Sequence, residues 1–241
     1  MTLSILAFDP NDDVVGAAVT SCVLAAGRRA LHLRPGVGAV AAQASSDITW
    51  GDDILDALQA GATVADAIAP FRREDTQLAV IDFAGRVAGH SGAACLPHAV
   101  QVLRKGVTAQ VNLAALPDAV DRMLTAFDAT ADQPLAERLV AALAASGDDS
   151  RGKQSAAVYV TGRAPLNGDT DEPHVDLRVD DHREPVAELA RLLSLHRAHL
   201  SMRETFLGEV GGAEGTLGPL LDEHPDDPHL RTALAWAKSN R

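Results

Sequence analysis

Aromatic residues are scarce in this 241-residue sequence: five Phe, two Trp and one Tyr make up 3% of it, although 46% of its residues are hydrophobic. Its apolar volume therefore comes from Ala, Val and Leu, small aliphatic side chains that suit sheets packed closely under helices. Cysteine is nearly absent too. Cys22 and Cys95 stand far apart, which argues against a disulfide framework and fits a reducing compartment. No apolar stretch approaches ~18 residues. The opening MTLSILAFDP lacks a basic segment followed by an apolar run and a cleavage site. We therefore expect a cytoplasmic protein with no membrane partner. Positive charge is also short, with 21 Lys and Arg against 33 Asp and Glu and a formal net charge of -12. Gripping a phosphate backbone takes clustered cations, so nucleic acid is not an expected partner. Neither GxGxxG after a strand nor GxxxxGK[ST] occurs, and no cofactor is expected.

What is present reads as one α/β domain with an appendage. Residues 3–8 and 14–20 are apolar runs around Asp9-Pro10-Asn11-Asp12-Asp13, a hairpin signature that brings Ser21 back towards the N-terminus. Further strands are expected over 39–44, 77–82, 86–90, 107–112, 155–161 and 175–179, with Gly85 supplying the turn between the second and third of these runs. The stretch between 90 and 107 reads as irregular. Helical spacing marks 52–58, 64–71, 118–129, 135–146 and about 185–200, with Thr63 as a cap and Pro70 as an interruption. Residues 219–241 hold two short helical segments, the last capped by Asp227 and begun by Pro228.

The segments SILAFDP, VGAVAAQA, QLAVID with GRVAGHSGA, RGKQSAAV and VDLRVDDHREPVAEL run in this order across roughly residues 2 to 200. They resemble the bacterial family catalogued as domain of unknown function 1028. The resemblance implies a four-layer αββα sandwich of the N-terminal nucleophile hydrolase type, whose members are mostly amide hydrolases. It would occupy 1–203, with a small helical C-terminal extension over 204–241. One departure stands out: where AQGN is usual, this chain has Ala109-Gln110-Val111-Asn112. A branched side chain in place of glycine is expected to narrow the site or to alter its oxyanion donors.

In such a hydrolase the free α-amine serves as base for its own residue's hydroxyl, since its pKa lies near neutrality. Removal of Met1 would give Thr2 that role. Ser4 shares a strand face with Thr2, and Ser21 ends the hairpin partner, so both are candidates for the substrate pocket. Gln43 and Asn112 are amides on otherwise apolar strands and are candidate oxyanion partners. The resemblance through RGKQSAA points to Arg151, Gln154 and Ser155 as substrate contacts, Arg151 by bidentate pairing with a carboxylate. Asp176 and Arg178 alternate with apolar neighbours and are expected on a buried, ion-bonded face. Asp180 and His182 stand at that strand's end and are candidates for binding substrate or orienting the amine. Three adjacent residues rarely point at one ion, so Asp180, Asp181 and His182 are not read as a metal site.

The sequence thus points to an amidohydrolase acting on a C–N bond of a small polar metabolite, in a homo-oligomer. The competing reading is a catalytically silent binding or scaffold protein with the same fold.

Overall fold

The aspartate-rich run between residues 9 and 13 reverses the chain, pairing β1 (Thr2–Asp9) with β2 (Val14–Ser21) so that Thr2 lies opposite Ser21. The Asp9 carboxylate accepts the Asn11 N–H at 2.9 Å, and Asp13 takes the left-handed conformation at φ 52°. The structure is a computed structural model describing residues 2–95, 99–114, 116–147, 152–164, 174–207 and 213–239. It is mixed α/β, with two antiparallel sheets and eight α-helices among the described residues.

The larger sheet adds β7 (Val100–Arg104), β8 (Val107–Asn112), β9 (Ser155–Gly162) and β10 (Val175–Val179) in the order β10-β9-β2-β1-β8-β7. The smaller runs β3 (Leu31–Arg34), β4 (Gly38–Ala44), β5 (Thr76–Asp82) and β6 (Val87–Ser91) in sequence order. Contacts of β1 and β2 with β4 place the sheets against each other. Between them lie Leu6, Val15, Ala17, Val19, Ala39, Ala41, Ala79 and Ala157, nearly all of them small, as the shortage of aromatics foretold. Helices α4 (Ala119–Ala129) and α5 (Leu135–Ala145) pack on strands of the larger sheet. Helices α2 (Trp50–Gln59) and α3 (Val64–Ile68) bury Ile54, Leu55, Val64 and Ile68 against Val40, Leu78 and Val80 of the smaller one.

Several elements depart from the expectations. The stretch expected to be irregular contains β7, and residues 26–34 form α1 (Ala26–Ala30) and β3 where no element was expected. The helix expected over 64–71 ends at Ile68 and passes into a 3-10 turn, Ala69–Phe71, because Pro70 has no N–H to continue the ladder. Other local expectations hold: the Thr63 hydroxyl accepts the Asp66 N–H at 3.2 Å, and Gly85 sits at φ 68° in its turn.

The chain divides into two compact units, Met1–Ala190 and Arg191–Arg241. Helix α6 (Pro185–Leu207) begins in the first and ends in the second, and runs beyond the expected end near residue 200. In the second unit, α7 (Ala213–Glu223) and α8 (Pro228–Ser239) bury Leu217, Ala233 and Ala237. Asp227 caps α8 by accepting the Leu230 N–H at 2.8 Å. No helix among the described residues is long and apolar enough to cross a membrane.

Candidate functional site

Strand alternation sorts β1 into two faces, and the face towards the second sheet reads Thr2, Ser4, Leu6, Phe8. It is apolar at one end and polar at the other. Its neighbours follow suit, because Thr2 pairs with Ser21 and Asn112 while Ser4 pairs with Gln110. Across the interlayer, β4 and β5 contribute the paired residues Gln43 and Gln77. The space between the sheets is therefore alanine-lined at one end and amide-lined at the other.

These groups bond to each other in a continuous network. Gln110 Nε2 donates to Ser4 Oγ at 2.5 Å, and Ser4 Oγ donates to Gln43 Oε1 at 2.8 Å. Gln43 Nε2 donates to Gln77 Oε1 at 2.5 Å and lies 3.5 Å from the Thr2 carbonyl oxygen. Asn112 Nδ2 donates to the same Gln77 oxygen at 3.2 Å, and Asn112 Oδ1 accepts the Thr2 N–H at 3.0 Å. The Thr2 and Ser21 hydroxyls meet at 3.1 Å. Gln77 closes the network by donating to the Val111 carbonyl at 3.2 Å. Burying this many amides is tolerable only because each finds partners, and satisfaction on all sides holds the start of β1 in one place.

The polar end opens into a cavity of about 360 Å³ lined by Thr2, Gln43, Asn112, Arg29, Asp75 and Cys95, with small residues between them. Such a volume suits a small ligand. Two lining residues, Ala44 and Leu113, are left-handed at φ 66° and 56°, and Ala25 beside the lining Ala26 is so at 54°. Left-handed backbone outside glycine costs about 1–3 kcal/mol and persists where the surroundings dictate it, often around functional sites. Burial pushes the Cys95 thiol above its ordinary range, against a weaker lowering from its backbone hydrogen bond with Gly92. It is therefore a poor nucleophile at neutral pH.

Of the residues singled out in the sequence, Thr2, Gln43 and Asn112 meet at this cavity. Ser4 and Ser21 are fully buried behind it and act through their bonds to Gln43 and Thr2. Ser155 is buried as well and does not line the cavity: its hydroxyl accepts the Ala26 N–H at 3.0 Å and donates to the Val23 carbonyl at 2.6 Å. It fastens the wall that carries Arg29. Gln154 likewise donates its N–H to the Ser21 carbonyl at 2.8 Å and its amide to Asp181 at 3.1 Å. Arg151 lies outside the described residues.

The face of Asp176 and Arg178 is solvent-exposed, not buried as expected. These residues do point to the side that the second sheet covers elsewhere, but β10 is the edge strand and lies beyond that cover. Arg178 pairs there with Asp180 at 3.2 Å. His182 is exposed, its Nδ1 accepting the Glu184 N–H at 3.0 Å. Val111 also needs correcting. It alternates with Gln110 and Asn112, so its side chain lies on the opposite sheet face and does not narrow the cavity.

Four contributors were not foreseen. Gln77 and Gln110 show the same signal as Gln43, an amide on the inward register of an apolar strand. Arg29 and Asp75 sit on a five-residue helix and a loop, where the sequence carries no periodic signal.

Comparison with known proteins adds lineage to this geometry. The chain matches the model of a family of unknown function, DUF1028, over residues 2–189. The crystal structure of a Silicibacter pomeroyi protein assigned to that family model is 29% identical, with a TM-score of 0.72, over 80% of this chain and 88% of that one. Anbu, an ancestral β-subunit from Yersinia bercovieri, aligns at 10% identity and a TM-score of 0.38, over 83% of this chain and 96% of its own. No curated protein matches the chain. With nearly four-fifths of its length matched by one family model, the chain belongs to the DUF1028 family.

Proposed function

We propose that the protein hydrolyses an amide-type C–N bond of a small polar metabolite, with Thr2 as nucleophile once Met1 has been removed. In this reading the two sheets and their helices constitute the four-layer αββα sandwich of N-terminal nucleophile hydrolases. The observation that carries it is the anchoring of Thr2 at the cavity, its nitrogen 3.0 Å from Asn112 Oδ1 and its hydroxyl 3.1 Å from Ser21 Oγ. A freed α-amine titrates near pH ~8, so at neutral pH a useful fraction is unprotonated and able to act as base.

The steps then follow. Thr2 Oγ attacks the substrate carbonyl carbon while its proton passes to the α-amine. Collapse of the tetrahedral intermediate breaks the C–N bond, and the departing amine takes that proton. Water, deprotonated by the same amine, cleaves the resulting ester and restores Thr2. Asn112 keeps the amine in place by accepting from it, and Gln43 keeps the Thr2 main chain in place. Both are positioning residues here: Gln43 Nε2 is taken up by Gln77 and the Thr2 carbonyl, and Asn112 Nδ2 gives one of its two N–H groups to Gln77.

That last feature also favours the second reading, a binding protein without turnover, since Gln43 has both N–H groups engaged and Asn112 has one of its two, which leaves at most one amide donor for an oxyanion. Intact mass and turnover separate the two. Loss of the Met1 mass, periodate oxidation of the exposed amino alcohol of Thr2, and loss of amide hydrolysis in Thr2→Ala are expected. Retained Met1, or undiminished hydrolysis by Thr2→Ala, overturns the nucleophile assignment. Sedimentation of the purified chain tests the proposed homo-oligomer.

A further inference from the structure

One charge in the cavity has no counter-ion among the described residues. Arg29 lines it from α1 and makes no ion pair among the described residues, whereas Asp75 on the cavity is paired with Arg73 at 3.2 Å. In a chain of formal net charge -12, an arginine at the edge of a cavity with no ion pair among the described residues stands out. Carboxylates are plentiful here, yet none among the described residues is paired with it.

Its position is also built rather than incidental. Helix α1 lies so close to β9 that a Cβ on Gly27 would come within 2.4 Å of the Ala157 Cβ. The segment before it is tied down by the Ala25 N–H to the Asp180 carbonyl at 3.0 Å and by the Ala26 N–H to Ser155 Oγ at 3.0 Å. Ser155 secures the same segment again at Val23, 2.6 Å away. The exposed Arg29 side chain thus starts from a fixed backbone, on the same cavity as Thr2. A guanidinium is the side chain that best matches a planar carboxylate, through two parallel N–H···O bonds.

We infer that the cavity takes a ligand bearing a carboxylate against Arg29, which makes the substrate class small amido acids such as N-acyl amino acids. The assignment of amide cleavage rests on the Thr2 reading; the binding of the carboxylate does not.

The test is calorimetric titration with N-acetylglycine, N-acetylalanine and N-acetylglutamate, each against its carboxamide counterpart. Wild type, Arg29→Ala, Arg29→Lys and Thr2→Ala are compared, with thermal melts to verify that each variant is folded. The acids are expected to bind about three- to tenfold tighter than the amides, the range for a partly exposed arginine–carboxylate pair. Arg29→Ala should bring the two to parity, Arg29→Lys should fall between, and Thr2→Ala should keep the preference. If none of the acids binds, or if their preference survives in Arg29→Ala, the inference is wrong. A preserved preference together with unimpaired hydrolysis by Thr2→Ala would defeat the nucleophile assignment and leave this inference standing.

Discussion

Replacing Gln77 by leucine tests whether the amide network is what holds the site together. The substitution keeps the approximate volume of a fully buried side chain but removes both ends of its amide. Gln43 Nε2 and Asn112 Nδ2 lose their shared acceptor, and the Val111 carbonyl loses its donor. The exposed Ser91 hydroxyl can turn to water. Each of the three buried orphans costs about 1–2 kcal/mol. Added apolar burial returns about 1–2 kcal/mol in total. The net destabilisation is then about 1–5 kcal/mol, a substantial part of the ~5–15 kcal/mol that ordinary domains possess. Urea unfolding followed by circular dichroism reads this as a lower midpoint at unchanged slope. Adding Gln43→Leu removes one of the orphans, so the double variant should lose less than the sum of the two single losses. Strict additivity, or a Gln77→Leu loss below about 0.5 kcal/mol, would mean that these groups are not exchanging hydrogen bonds as described.

Two further outcomes follow from the neighbouring elements. Gly27→Ala places a methyl group against Ala157 and should cost about 1–3 kcal/mol by overpacking, while weakening binding of the N-acetyl amino acids as Arg29 shifts with α1; unfolding and titration of one preparation read both. Burial, with the Asp176 carboxylate nearby, pushes the Tyr159 hydroxyl up to about 12. The folded chain therefore keeps that proton at a pH where the unfolded chain has lost it. The resulting stability is fully present below about pH 10 and declines by at most about 2–3 kcal/mol as pH rises towards 12, and Tyr159→Phe should flatten this part of a stability-against-pH profile.

Much of this architecture was legible because alternation and turn chemistry are local. The run from Asp9 to Asp13 announces its reversal, and the register it sets puts Thr2, Ser4 and Ser21 on one face before any tertiary contact is known. Gln43 and Asn112 stood out as amides among apolar neighbours, and they do meet at Thr2. Edge position, by contrast, is a tertiary property. Asp176 and Arg178 alternate as a buried pair would, and only the strand order leaves them uncovered. Ser155 was singled out as a substrate contact and instead clamps α1, because nothing in the chain near it reveals that Val23 and Ala26 lie within reach. Helix α1 is too short for periodicity to register, and Arg29 went unseen with it.

The alanine-lined half of the interlayer sets a mechanical tolerance for the other half. Ala17, Ala39, Ala41, Ala79 and Ala157 separate the sheets there by methyl groups, and β1, β2, β4 and β5 run on from this spacer into the amide-lined end. A larger side chain at any of these positions would wedge the strands apart. Rigid strands would pass that displacement along their length to the 3.0 Å contact between Thr2 and Asn112. Substitutions well away from the cavity can thus detune it, and a gain in size on one sheet would have to be matched by a loss on the other to leave Thr2 in register.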